Sequence, residues 1–233
     1  MNIKTDALRT KLELICDKDF EELTHDDLDE VLEITLSNSD VGNNPTPIFF
    51  EDLIYLDNLE KLTIVGANLT VEDYAFILSR KKLKYLHFQD SRIEELVDID
   101  RLTELESLLL IKTYAGGLDN IGTINNLKNV ALVSHDLSNI NYLENLSLNS
   151  LILSHTNIDN YESIYKLGNL EILAIDNTNI DDLDFLIDFK NLKELHIDMK
   201  QRENNKRVVN YLIGQGVKVY NEFMNVLGEE YDE

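Results

Sequence analysis

Eight short apolar pairs recur down the chain at nearly constant spacing, and no other feature constrains the fold as tightly. They read Ile34-x-Leu36, Leu62-x-Ile64, Leu86-x-Phe88, Leu108-x-Leu110, Val130-x-Leu132, Leu151-x-Leu153, Leu173-x-Ile175 and Leu195-x-Ile197. The steps between first residues are 28, 24, 22, 22, 21, 22 and 22. A unit of this length cannot bury an apolar face alone, so it stacks on its neighbours and the chain grows as a solenoid. Three positions after most pairs stands a small polar residue, with an aliphatic residue two further on. Thr156 and Ile158, Thr178 and Ile180, and Ser91 and Ile93 follow this rule. Before each strand, apolar residues fall at every third position, as Ile164, Leu167 and Leu170 do before Leu173. Stacked coils offer surfaces rather than pockets, so function is expected on a surface.

The ends depart from the pattern in interpretable ways. A first coil left open would expose its leucines, and residues 1–32 read as a helical cap. Leu8, Leu12 and Ile15 share one helical face; a second helix starts at Thr24, where Thr24 to Asp27 has capping-box spacing, and buries Leu28, Val31 and Leu32. The longest step holds an insertion with both prolines, Pro45 and Pro47, followed by Phe49 and Phe50, of which one ring is expected in the core. Thr70 to Asp73 offers another cap, with a helix over Tyr74 to Leu78. The repeats from Leu86 to Leu195 are tight enough for 3₁₀ turns on the outer side. Adding one more step to Leu195 predicts a ninth strand at Val217 to Val219 and an outer helix over 203–213 that buries Val208, Val209, Leu212 and Ile213. The sequence thus predicts an α/β solenoid of about nine parallel strands as a single domain over 1–233. Its parts are the cap at 1–32, repeats at 33–199, and a last coil, cap and acidic tail at 200–233.

The segment LGNLEILAIDNTNIDDLDFLIDFKNLKELHI, residues 167–197, resembles the 22-residue leucine-rich repeats of the internalin class. The resemblance extends over roughly residues 28–199. It implies a leucine-rich-repeat horseshoe with its strands on the concave side and short turns and helices on the convex side. It also implies a non-catalytic protein binder that uses the concave sheet.

Charge and composition narrow the partners. With 44 acidic against 21 basic residues the net charge is −23. Phosphate backbones and anionic membrane surfaces would be repelled, so neither nucleic acid nor membrane is an expected partner, whereas a basic protein is compatible. The lone Cys16 excludes an internal disulfide and reads as a buried structural thiol. Met1 to Lys11 has no apolar core of signal-peptide length, which favours a cytoplasmic location. No catalytic constellation, metal site or cofactor is expected. Gly117 to Gly122 has phosphate-loop spacing, but Thr123 stands where lysine is required; Asp17-x-Asp19-x-Glu21 lacks the glycine and closing glutamate of a calcium loop.

Strand alternation turns every second residue towards solvent. Between the strand leucines lie Thr35, Thr63, His87, Leu109, Ala131, Ile152, Ala174 and His196. One position after each pair lie Ser37, Val65, Gln89, Ile111, Val133, Ser154, Asp176 and Asp198. His87 and His196 are separated by five repeats, roughly 24 Å at strand spacing, too far for a joint metal site. His135 occupies the small-polar position and is expected to bond loop backbone. A solvated sheet face favours polar residues, so Leu109, Ile111, Ala131, Val133 and Ile152 mark a binding patch. Tyr85, His87, Tyr114, Ile172, Asp176, His196 and Asp198 frame it. The expected function is protein binding, in its sharper form by an acidic inhibitor or immunity protein neutralising a basic toxin or enzyme, as a monomer or weak homodimer. A self-associating scaffold and an enzyme are the alternatives.

Overall fold

A computed structural model of the protein describes residues 2–38 and 47–221. Pro45 and the acidic tail from 222 onward lie outside the described residues. The chain divides into two compact units, Met1–Asn126 and Leu127–Glu233.

The first unit opens with helix α1 (Asp6–Cys16) and helix α2 (His25–Asp29), the latter closed by the Thr24–Asp27 capping box. Leu8, Leu12, Leu28 and Val31 are buried as expected. Ile15 and Leu32 are not, at 48% and 49% exposure. Ile15 lies in the last turn of α1, next to the left-handed cap at Asp17. Leu32 precedes β1 in an irregular segment, where the strand's alternation does not hold: Val31 is buried, and Leu32 and Glu33 are both exposed. Four strands follow: β1 (Glu33–Ser37), β2 (Lys61–Val65), β3 (Tyr85–Gln89) and β4 (Ser107–Ile111). They pair in parallel with no slip, Ile34 beside Leu62, Leu62 beside Leu86 and Leu86 beside Leu108. Helix α3 (Val71–Leu78), capped by Thr70 and Asp73, lengthens the repeat between β2 and β3.

The insertion before β2 docks through specific bonds. Phe50 is buried and Phe49 is partly exposed, so one ring of the pair does enter the core. Asp52, almost wholly buried, accepts from the backbone amides of Lys4 and Thr5 at 2.7–3.0 Å. Arg80 at the end of α3 donates to the Ile54 carbonyl at 3.2 Å and to Asp57 at 2.8 Å.

The second unit carries β5 (Asn129–Val133), β6 (Ser150–Ile152), β7 (Ile172–Ala174), β8 (Glu194–His196) and β9 (Lys218–Tyr220). These too are parallel; the ninth strand is present, with bounds one residue later than expected, and Leu195 pairs with Val219, two residues beyond the Val217 that a step of 22 selects. Short 3₁₀ helices at Asn141–Leu143, Glu162–Lys166 and Asp184–Asp188 form the other side of these coils. The outer helix before β9 is two helices, α4 (Met199–Asn204) and α5 (Lys206–Gly214). Asn205 breaks it because its amide donates to the Asp181 carbonyl at 2.8 Å while its Oδ1 accepts from Leu183 at 3.1 Å. Val208, Val209 and Leu212 are buried and Ile213 is half-buried.

The six strands β2 to β7 each end at a corner with one left-handed residue. These are Gly66, Asp90 and Lys112 in the first unit, and Ser134, His155 and Asn177 in the second. The small polar residue that follows ties the corner down. Ala67 donates to Ser91 Oγ and Ser91 to Thr113 Oγ1 in one unit; in the other, His135 donates its backbone amide to Thr156 Oγ1. Thr156, fully buried, passes its own hydrogen to the Leu132 carbonyl one repeat back. The ladder ends at Gln201, also fully buried. Its Nε2 donates to the carbonyls of Ile175 and Ile180 at 2.9 Å, and so serves Ile175 as Thr156 serves Leu132.

Candidate protein-binding face

In the first unit, the residues that alternate inward (Ile34, Leu36, Leu62, Ile64, Leu86, Phe88, Leu108 and Leu110) are at most 2% exposed. Those between them reach solvent, which fixes the register expected from sequence. Parallel pairing aligns the outward residues in straight rows: Glu33–Lys61–Tyr85–Ser107, Thr35–Thr63–His87–Leu109 and Ser37–Val65–Gln89–Ile111. Polarity changes along each row. β1 presents Glu33, Thr35 and Ser37, while β4 presents Leu109 and Ile111, both half-buried. The Tyr85 ring meets the His87 ring edge-on with centroids 6.3 Å apart. Burial pulls the His87 imidazole below the ordinary histidine range, and its Nε2 is buried with no hydrogen-bond partner among the described residues. A neutral ring fits that setting, because protonation would put a charge on a partly buried ring whose Nε2 has no partner among the described residues.

Tyr114 does not belong to this face. It sits past the Lys112 corner on a two-residue strand, Tyr114–Ala115, within a small second sheet that includes Arg92–Ile93. There it is 57% exposed, with the Arg92 guanidinium 4.2 Å from its ring centre. Rim contact is open to it; the strand face is not.

In the second unit the central row is Ala131–Ile152–Ala174–His196–Tyr220, and beside it runs Asn129–Ser150–Ile172–Glu194–Lys218. The sequence counted Ala131 among the contact residues, but it is only 3% exposed, and Ala174 only 5%. A methyl group at these positions sinks below the longer Ile152 between them. Ile152 therefore stands above its row, with Ile172 and Val133 also half-buried nearby.

Two expected contact residues are engaged inside the protein. Asp176 is 9% exposed and accepts from Ser154 Oγ at 2.6 Å and from Asn177 Nδ2 at 3.2 Å. Asp198 caps α4, accepting from Gln201 N at 2.9 Å, and its second oxygen accepts from Asn177 N at 3.0 Å. At the preceding corner His155 N donates instead to the backbone carbonyl of Asp176. Asp198 thus supplies a side-chain acceptor where the chain has turned into a helix. The row also contains a residue missed from sequence: Tyr220 stacks on His196, centroids 4.7 Å apart and planes 15° from parallel. Placing the last strand one residue early had left Tyr220 outside it. Burial lowers the His196 pKa, opposed in part by Asp176 and Glu194.

Among the described residues, no three His, Cys, Asp or Glu side chains gather closely enough to hold a metal ion. No helix among them is long and apolar enough to cross a membrane. Cys16 is only partly buried, its Sγ is 3.8 Å from the Asp27 carbonyl, and burial raises its pKa.

No family model and no curated protein sequence matches the chain. Solved structures do. Internalin C2 of Listeria monocytogenes is 22% identical with a TM-score of 0.68, and 84% of each chain is covered. A leucine-rich-repeat protein of Leptospira interrogans is 18% identical with a TM-score of 0.58, over 84% of this chain and 56% of that one. InlP of Listeria monocytogenes is 18% identical with a TM-score of 0.52, over 83% of this chain and 63% of that one. At such identities the likeness concerns the fold, and it agrees with the repeat length, the parallel strands and the corner ladder. The chain has the internalin-like leucine-rich-repeat fold.

Proposed function

We propose that the chain is a non-catalytic module that binds another protein through the open face of its parallel strands. The observation that carries this reading is the presence of half-buried aliphatic residues on the open strand face of each unit, Leu109 and Ile111 in the first and Ile152 and Ile172 in the second. These positions alternate towards water, where a sheet normally carries polar residues. Central aliphatic anchors would supply affinity, and the −23 charge would steer a basic partner. An acidic inhibitor or immunity-type protein acting in the cytoplasm is the sharper form of the proposal.

The test compares capture of a partner by the wild type with capture by Leu109→Asp and Ile152→Asp. Loss of at least thirtyfold in affinity, about 2 kcal/mol, supports anchors on this face. Undiminished binding by both folded variants removes it. Sedimentation of the pure protein addresses self-association: a dimer that either substitution dissociates would make the face a homotypic one.

A further inference from the structure

We infer that the side of the second unit opposite its open strand face carries a separate docking surface for a basic, arginine-bearing segment of another protein. Four aromatic rings run across two successive coils there. Tyr161 meets Tyr165 at 6.4 Å, Tyr165 meets Phe185 at 4.7 Å, and Phe185 meets Phe189 at 5.7 Å between ring centres. Phe189 and Tyr161 stand at ladder positions, those of Leu167 and of Ile140 and Leu183 in neighbouring coils. Repeat packing does not require Tyr165 or Phe185, because Ile164, Leu167, Leu183, Leu186 and Phe189 already fill the core. Tyr165 is instead 48% exposed, and Tyr161 and Phe185 are half-buried. Phe189 closes the run against a shallow recess that it lines with Ile187, Leu192 and Tyr211, the last 40% exposed.

Charge selects the occupant. The nearby cations are already matched, Lys166 by Glu144, Lys200 by Asp181 and Arg207 by Asp184, at 2.6–2.9 Å. Lys190 is turned onto the Ile187 carbonyl at 2.7 Å. Glu162, Asp182 and Asp188 are left without an ion-pair partner among the described residues. Burial raises the Tyr165 pKa, and the charges of Asp182 and Glu162 add to the effect. Ring faces carry negative potential, and beside unmatched carboxylates they favour a flat, weakly hydrated cation that can stack. Guanidinium meets that description better than ammonium. The sign also rules out two other occupants. Residues 222–233 contain five carboxylates and no lysine or arginine, and a second copy of the chain carries the same −23 charge.

The surface is tested by fluorescence anisotropy with labelled hexa-arginine and hexalysine peptides at near-physiological salt. Wild-type protein is expected to bind hexa-arginine about tenfold more tightly than hexalysine, and the double variant Tyr165→Ser, Phe185→Ser to lose that preference. The Ile54→Ser variant, at an exposed apolar residue of the first unit, serves as a control and should bind both peptides as wild type does. Should the ring variant fail to fold, the triple variant Glu162→Gln, Asp182→Asn, Asp188→Asn keeps the rings. It should weaken hexa-arginine at least threefold. Equal affinity for the two peptides would reduce the contact to bulk charge and overturn the inference. So would a preference for hexa-arginine that persists in the folded ring variant, hexa-arginine affinity that the folded carboxylate variant leaves undiminished, or a loss of binding in Ile54→Ser.

Discussion

Gln201→Leu tests the way the repeat ladder is terminated. The side chain is fully buried and makes four bonds. Nε2 donates to the Ile175 and Ile180 carbonyls at 2.9 Å and to Thr178 Oγ1 at 3.2 Å, and Oε1 accepts from Asp198 N at 3.0 Å. Leucine has nearly the same volume, so cavity formation contributes little. Ile175 keeps a bond from Thr178 Oγ1 at 2.7 Å, whereas the Ile180 carbonyl and the Asp198 amide lose the only partner each has among the described residues. An orphaned buried group costs about 1–3 kcal/mol. Asp198 is half-buried, so water recovers part of its loss, and the new methyls return about 1 kcal/mol. The net destabilisation should be about 2–3 kcal/mol. With an m value of about 2–3 kcal/mol/M, the urea midpoint falls by roughly 1 M. Hydrogen exchange should show the lesion first in α4, α5 and β9, with β5 and β6 following later. A variant within about 0.5 kcal/mol of wild type would mean that the glutamine is not what closes the ladder.

Adjacent residues test the register: Leu108→Asp and Leu151→Asp should each cost more than about 3 kcal/mol by burying a charge, whereas Leu109→Asp and Ile152→Asp should melt within a few degrees of wild type. The reverse pattern would invert every surface assignment. Tyr74 is fully buried, burial raises its pKa, and its hydroxyl finds no partner among the described residues; Tyr74→Phe should therefore be neutral or raise stability by up to about 1 kcal/mol in chemical denaturation. His87 and His196 have lowered pKa values, so the unfolded chain binds more protons than the folded one once pH falls below about 6.5. Their contribution is complete above that pH and lost on acidification; His87→Leu should flatten the fall in thermal midpoint between pH 7.5 and 5.5, and an unchanged slope would refute the assignment.

The repeat frame was legible because it rests on repulsion between water and leucine, which leaves a periodic trace. The earlier strand positions and the capping boxes at Thr24 and Thr70 follow from counting, which also finds the last strand but sets its register two residues early. What counting missed lies where a repeat position is filled by a residue of another kind. Gln201 takes over a threonine's bond from a helix, and nothing about a glutamine between Lys200 and Arg202 signals burial. Asn205 looks like an ordinary helix residue until its carbonyl partner two dozen residues earlier is seen. Alternation also gives direction without height. It turned Ala131 and Asp176 correctly away from the core, yet neighbouring side chains and a serine hydroxyl take up the surface they would have offered. Ile15 and Leu32 depart from expectation because one lies in the last turn of its helix and the other just ahead of its strand, where periodicity within an element no longer sets direction.

Of the six corner residues in left-handed conformation, only Gly66 is the type that adopts it freely. Aspartate, lysine, serine, histidine and asparagine occupy the others, each at a strain of roughly 1 kcal/mol relative to glycine. The corner is thus held largely by the bonds around it, so the position accepts several kinds of side chain. That makes each coil a nearly interchangeable module with matching ends. A lineage carrying this fold can lengthen, shorten or recombine by whole coils, because the cut at one corner fits the cut at another. Length, and with it the extent of surface shown to a partner, becomes a trait that unequal recombination can alter in a single event.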